Sequence, residues 1–192
     1  MPRESGTQRA ILDAALELAA ANGISGTTMD DVAERAGVAK GSLYYNFSSK
    51  DKLFEKLTLE GVGSLTDSLR TARSGRTGWP AIESMVRALL ELLCANRALA
   101  KLMAAEILRT DRTWQHSMHL LRQEALAEFV EPIRETVQEN GTDGPDNVML
   151  IAGSVFGATL MAAMDWLVFD PERPLEKVTD SVLYALSGRL KS

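Results

Sequence analysis

The stretch TTMDDVAERAGVAKGSLYYNFSSKDKL, residues 27 to 53, organises the rest of this chain. Thr28 and Asp31 have the spacing of a capping box, in which each side chain accepts a hydrogen bond from the other residue's backbone N–H. A helix is therefore predicted to begin just after Thr28. Gly37 stands where a helix ends in the left-handed conformation, which glycine adopts without a steric penalty.

A second and very short helix is predicted from about Lys40 to Asn46, with Leu43 as its one clear core residue. Two short helices joined by a tight turn form a helix-turn-helix. A short helix that exposes hydrogen-bonding and aromatic side chains suits the reading of a DNA major groove. Gly41 lets its backbone approach another surface closely. This pattern favours DNA binding.

The next helix is predicted to begin at Ser48 or Ser49, which places Lys50 in its first turn. A lysine there can hold a phosphate together with the free backbone N–H groups of the helix start. The alternative to DNA binding is a helical hairpin that serves only packing. That alternative leaves Lys40, Tyr44 and Tyr45 without a purpose.

The segment AERAGVAKGSLYYNFSSKDKLF resembles the DNA-binding signature of the tetracycline-repressor (TetR) family, and the match runs from about Ile11 to Leu57. The resemblance implies an effector-responsive regulator. Asn46 departs from the family pattern, because many members have His there. The positions that match family DNA contacts are Thr28, Tyr44 and Lys50 for phosphates, and Lys40, Ser42, Tyr45 and Asn46 for bases.

Composition bounds the fold class. The chain has 192 residues, of which 45% are hydrophobic and 24% are charged, as in an ordinary soluble globular protein. Few segments favour strands, so we expect an all-α fold. A three-helix helix-turn-helix domain is predicted over residues 1–56, and a helical bundle for ligand binding and dimerisation over residues 57–192. The single cysteine, Cys94, excludes an internal disulfide, and no signal peptide is visible, so a cytoplasmic protein is expected.

The net charge of −5 argues at first against nucleic acid, but the distribution of charge matters more. Between Arg35 and Lys56 there are five cations and two anions, a local excess of three. A locally basic face is therefore possible. The small excess predicts modest non-specific affinity, with specificity supplied by a dimer and by base contacts.

A second informative stretch, DNVMLIAGSVFGATLMAAMDWLVF, covers residues 146–169 and is apolar almost all round. Its length could span a bilayer, and Gly153 and Gly157 have a spacing known from membrane helix packing. Asp165 inside the stretch and the absence of a Lys/Arg asymmetry at its flanks disfavour a membrane span. We instead expect a helix packed between its own bundle and a partner subunit.

The last predicted helix, about Leu175 to Leu190, carries an apolar stripe. Together with the preceding apolar helix it predicts a two-fold dimer with a four-helix interface, and the resemblance implies the same arrangement. The residues expected at this interface are Gly153, Gly157, Val178, Val182, Ala185 and Leu186.

Methionines and aromatic residues are frequent in the second half of the chain, where helices of a bundle can enclose a pocket. For any single one of them an ordinary core position is the commoner explanation. The resemblance implies an inducer site among them, so a small-molecule effector is expected. The candidate ligand residues are Met85, Met103, Glu106, Trp114, Met118, Phe156, Met161 and Asp165.

No motif points to catalysis. The chain lacks G-x-S-x-G, P-loop, H-E-x-x-H and CxxC spacings, so no enzyme activity and no cofactor are expected. His116 and His119 lie one helical turn apart, but no further His or Cys lies nearby to complete a metal site. The favoured hypothesis is a dimeric repressor on a palindromic operator, released by a small molecule. The alternatives are a helical enzyme or cofactor carrier, and a constitutive DNA-binding module without an effector.

Overall fold

The structure is a computed structural model that describes residues 6–106, 115–141 and 147–190. Within these residues all regular structure is α-helical, as the composition predicted. The helices are α1 Gly6–Gly26, α2 Met29–Ala36, α3 Lys40–Asn46, α4 Lys50–Arg73, α5 Gly78–Ala95, α6 Arg97–Glu106, α7 Gln115–Glu139, α8 Val148–Phe169 and α9 Leu175–Leu190.

The chain divides into two compact units. Among the described residues, the first comprises 6–61, 98–106 and 115–118, and the second comprises 62–97, 119–141 and 147–190. The division falls after Gly61 instead of after residue 56. Residues 98–106 and 115–118 join the first unit, which no local sequence pattern indicated.

The first unit is built around the inner faces of α1 and α2. Apolar residues recur at helical spacing along α1, and they pack against α2, α3, the start of α4 and Leu102 of α6. Gly61 lies where Leu99 approaches closely, since a Cβ at Gly61 would meet Leu99 Cδ1 at 2.9 Å. The fully enclosed side chains of this core include Ile11, Leu12, Ala15, Leu43, Leu53 and Phe54.

Helix α1 contains a kink near its end. The helix continues to Gly26 across Gly23, where φ is 72° and ψ is 163°. Only glycine adopts such angles readily. Ile24 is buried directly after the kink, and the Thr27 hydroxyl donates to the Gly23 carbonyl oxygen at 2.9 Å. These contacts fix the entry into α2.

The second unit centres on α5, which contacts both α8 and α9. The start of α5 has no side-chain cap of its own, and the Gly78 N–H instead donates to Glu135 Oε2 of α7 at 2.7 Å. At the end of α4, Arg70 and Arg73 both pair with Glu128 of α7, at 3.0 and 3.2 Å. Charged contacts thus join α7 to the end of α4 and the start of α5.

Helix α8 is long and apolar enough to cross a membrane, the one helix of the described residues that passes this test of length and composition. Core helices of soluble proteins pass the same test. One side of α8 is buried at Ala152, Val155, Thr159 and Ala163. The opposite side exposes large apolar residues, so α8 is only half covered within the protomer.

Candidate nucleic-acid interface

The start of α2 is fixed by the capping box that the sequence predicted. The Asp31 N–H donates to Thr28 Oγ1 and the Thr28 N–H donates to Asp31 Oδ2, both at 3.1 Å. The Thr28 hydroxyl also donates to Asp31 Oδ2 at 2.6 Å, and these hydrogen bonds lower the pKa of Asp31. Thr28 is exposed and held in one conformation beside the first turn of α2.

The turn between α2 and α3 also follows the prediction. Gly37 is left-handed, with φ 66° and ψ 31°, and its N–H donates to the carbonyls of Ala33 and Glu34. The Val38 N–H donates to the Ala33 oxygen at 3.0 Å. These bonds satisfy carbonyls that would otherwise lack a partner at the helix end. The chain is thereby redirected into α3 within three residues.

One side of helix α3 packs on the core, and the other side is exposed to solvent. Leu43 is fully buried and Phe47 behind it nearly so, whereas Tyr44 is 50% and Tyr45 91% exposed. Gly41 is exposed, and a Cβ there would meet nothing within 4 Å. Burying a tyrosine ring normally stabilises a fold. Two adjacent exposed tyrosines on a seven-residue helix therefore indicate a binding surface.

The polar residues of α3 have neighbours that the sequence did not indicate. Lys40 Nζ lies 2.6 Å from Asp30 Oδ2 of α2, and this contact raises the pKa of Lys40. Asn46 Nδ2 donates to the Ser42 carbonyl at 2.8 Å, so the amide folds back on its own helix. Among the polar residues Lys40, Ser42 and Asn46, only Lys40 contacts a charged side chain of another helix in the described residues.

Lys50 is half-buried at the start of α4. Its ammonium donates to the carbonyl oxygens of Thr27 at 2.8 Å and Ser25 at 3.2 Å. Two of its three N–H donors are thus used to tie α4 to the turn before α2. The third donor is available to a phosphate near Thr28. Thr28 is adjacent in sequence to Thr27, whose carbonyl oxygen is one of the two acceptors.

The residues expected at the dimer interface are divided between the surface and the interior. Gly157 is exposed, and a Cβ there would meet nothing within 4 Å. Gly153 faces its own protomer, because a Cβ would contact Arg122 and Leu126 of α7 at 3.8 and 3.9 Å. Ala185 is exposed and Leu186 is half-buried.

The assignment of Val178 and Val182 to the interface needs correction. They are only 6% and 5% exposed, because α9 packs this stripe against its own bundle. The side of α9 that faces outward instead carries Tyr184, which is 85% exposed. On α8 the exposed large side chains are Met149, Leu150, Met161, Val168 and Phe169.

The predicted ligand residues do not form one cluster among the described residues. Met85 and Phe156 are buried in the core of the second unit, whereas Met161 is 70% exposed and Asp165 is exposed. The last two therefore lie on the outer, solvent-exposed side of α8. Trp114 and the side chains of Met103, Glu106 and Met118 lie outside the described residues.

Two surface cavities of the second unit have serine, arginine and acidic residues in their lining and contain none of the predicted ligand residues. One, of about 550 Å³, lies between α4 and α5 and includes Ser68 and Ser84. The other, of about 330 Å³, is lined by Arg70, Arg73 and Glu131 among others. His116 and His119 are exposed, and the described residues contain no group of three or more metal-ligating side chains.

Comparison with known proteins supports the helix-turn-helix directly. The family described as "Bacterial regulatory proteins, tetR family" matches residues 11–57, which include all of α2 and α3. The fatty acid metabolism regulator protein of Bacillus subtilis is 23% identical over 177 residues, covering 92% of this chain and 91% of that protein. The match to the repressor KstR2 of Rhodococcus jostii, 29% identical, spans 54% of this chain and about half (52%) of that protein.

Solved structures resemble the whole fold. A candidate fatty acid metabolism regulator of Clostridium perfringens superimposes with a TM-score of 0.81 at 28% identity, over 93% of this chain and 97% of that one. FadR of Bacillus subtilis in complex with stearoyl-CoA gives 0.80 at 22% identity, over 94% and 98%. These relatives are regulators and not enzymes, and proteins of their kind are soluble, bind operator DNA as dimers and respond to small molecules. The helix-turn-helix domain of this chain, residues 11–57, therefore belongs to the tetracycline-repressor (TetR) family of bacterial regulatory proteins.

Proposed function

We propose that this protein is a ligand-responsive transcriptional repressor, that it contacts its operator through one continuous surface of the first unit, and that it acts in the cytoplasm. The exposure of Tyr45 carries this proposal, since a tyrosine that is 91% exposed is available to bases and phosphates. The surface consists of Thr28, Lys40, Gly41, Ser42, Tyr44, Tyr45, Asn46 and Lys50.

The two copies of α3 in a dimer would enter successive major grooves, about 34–36 Å apart, on a palindromic site. We propose that the dimer forms through the exposed side of α8 and the outer side of α9. Leu150, Gly157, Met161 and Val168 recur every four or seven residues along α8, as expected for one helix face. Tyr184 extends the apolar surface onto α9.

Replacing Tyr45 by alanine tests the DNA surface. We expect specific operator affinity to fall by about fivefold or more, because base or methyl contacts of one side chain contribute about 1–3 kcal/mol. The melting temperature should hardly change, since Tyr45 is 91% exposed. Fluorescence anisotropy on a duplex selected by the wild-type protein measures the affinity. Leu120→Ala, an exposed residue of α7, is the control, and an unchanged affinity of Tyr45→Ala would mean that α3 does not face DNA.

We further propose that the effector is a long-chain acyl-CoA thioester. Two of the proteins most similar to this chain over nearly its full length carry names that refer to fatty acid metabolism. The FadR protein of Bacillus subtilis, which shares the fold, was solved with stearoyl-CoA. The core of the second unit offers adaptable apolar side chains, among them Met85 and Phe156. Met161 and Asp165 are excluded from this proposed pocket by their exposure.

Stearoyl-CoA should therefore raise the melting temperature and release the operator, whereas coenzyme A alone should do neither. A ligand that binds only the folded protein stabilises it by about 2.7 kcal/mol at a hundred times its Kd. A coupling of about 1–3 kcal/mol between the two sites lowers operator affinity about 5–150-fold. Differential scanning fluorimetry and anisotropy give the two values. If neither changes with stearoyl-CoA, the effector belongs to another class, or the protein binds DNA constitutively.

A further inference from the structure

An ion pair joins the two helices of the helix-turn-helix at the surface that we assign to DNA. Asp30 lies in the first turn of α2, Lys40 is the first residue of α3, and Lys40 Nζ is 2.6 Å from Asp30 Oδ2. Both side chains are largely exposed, at 59% for Asp30 and 66% for Lys40. The pair therefore stands at the solvent boundary and not in the core.

Stability does not explain this pair. Water screens exposed ion pairs, which contribute little to folding on average. The turn between α2 and α3 is already held by Gly37 and by the buried Leu43. A carboxylate at this place also repels DNA phosphates, so Asp30 lowers the general attraction of the surface for DNA. An exposed anion at a DNA-binding face calls for a different explanation.

The pair restricts where the Lys40 ammonium can go. A free lysine is a flexible, strongly hydrated cation that is drawn to the nearest phosphate. Asp30 holds this ammonium beside the first turn of α3, the part of a recognition helix that contacts base edges. One N–H of the ammonium is used by the carboxylate, and two remain for acceptors in the groove.

Together the two side chains present donors next to an acceptor. In the major groove guanine offers the acceptors O6 and N7, and its partner cytosine offers the N4 amino donor. An A·T pair offers instead the adenine N7 acceptor, the adenine N6 donor, the thymine O4 acceptor and a methyl group. The two remaining N–H groups of the ammonium match the adjacent guanine acceptors N7 and O6, whereas adenine places a donor beside N7. The remaining carboxylate oxygen matches the cytosine donor, so the pair complements one G·C base pair.

We propose that Asp30 and Lys40 act as one unit that selects a G·C base pair at one position of each operator half-site. Asp30 is then a specificity-determining residue, which the exposed polar residues of α3 alone did not indicate. This inference rests on the DNA surface proposed above. It gives the Asp30 carboxylate a role in base recognition. The names of the relatives do not state which bases those proteins read.

Selection from a library of randomised duplexes tests the proposal. The wild-type protein should select a palindrome with a fixed G·C pair in each half-site, and Asp30→Ala and Lys40→Ala should both relax that same position. The preference for G·C over A·T there should fall by about fivefold or more. Glu34→Ala, which removes an exposed carboxylate of α2 one turn further along, is the matched control and should leave every position unchanged.

Salt dependence gives a second measurement on a scrambled duplex. Asp30→Ala frees Lys40 for a phosphate, so the slope of log K against log salt should become steeper by about 0.9 for each protomer that contacts the duplex, and the slope of the double variant should return towards that of the wild type. Asp30→Ala that keeps the wild-type consensus, or a wild-type consensus without a G·C pair, overturns this inference alone. A wild-type protein that selects no common sequence contradicts the proposed DNA surface as well.

Discussion

Replacing Gly157 by arginine should convert the dimer into monomers and lower operator affinity by about 10²–10⁴-fold. Gly157 is exposed, and a Cβ at this position meets nothing within 4 Å in the described residues, so the protomer should fold normally. In a two-fold dimer the two arginines would face each other across α8, where like charges and added volume oppose close packing. Affinity falls because a monomer contacts only one half-site. In the dimer, binding of one DNA-binding domain holds the second at a high effective concentration near the other half-site, and a monomer lacks this advantage.

Size-exclusion chromatography with light scattering measures the dimer, and anisotropy on the selected duplex measures affinity. Gln138→Arg adds the same charge at an exposed position of α7 and should remain dimeric with wild-type affinity. A Gly157→Arg protein that is still a dimer would place the interface on another face. Its DNA affinity would then show whether that other interface also positions the two α3 helices.

The sequence predicts the helix-turn-helix well because local chemistry determines it. A capping box, a left-handed glycine and one apolar residue on a short helix each act within a few positions of the chain. Thr28, Gly37 and Leu43 therefore take the places that their neighbours predict. The α8 boundaries could be predicted for a similar reason, since an apolar run of this length has few alternatives to a helix.

The long-range contacts that the sequence missed join separate elements. Asp30 and Lys40 lie ten positions apart, and Lys50 reaches carbonyls more than twenty positions away. No periodicity encodes such pairs, because they depend on the angle at which α3 and α4 leave the preceding turn. The two valines of α9 were assigned to the wrong side for the same reason. An apolar stripe predicts burial, but only the packing of α9 decides whether its own bundle or a partner buries it.

Replacing Leu43 by alanine should abolish operator binding while the second unit remains helical. Leu43 is the one buried residue of α3, and a seven-residue helix does not persist in water without such an anchor. The substitution should cost about 2–5 kcal/mol through lost burial and a cavity. Circular dichroism follows helix content and anisotropy follows operator affinity. Leu43→Met keeps the volume, should cost less than about 1.5 kcal/mol and should retain binding. If Leu43→Ala binds the operator as tightly as the wild type, DNA itself orders α3, and the protein core does not hold it ready.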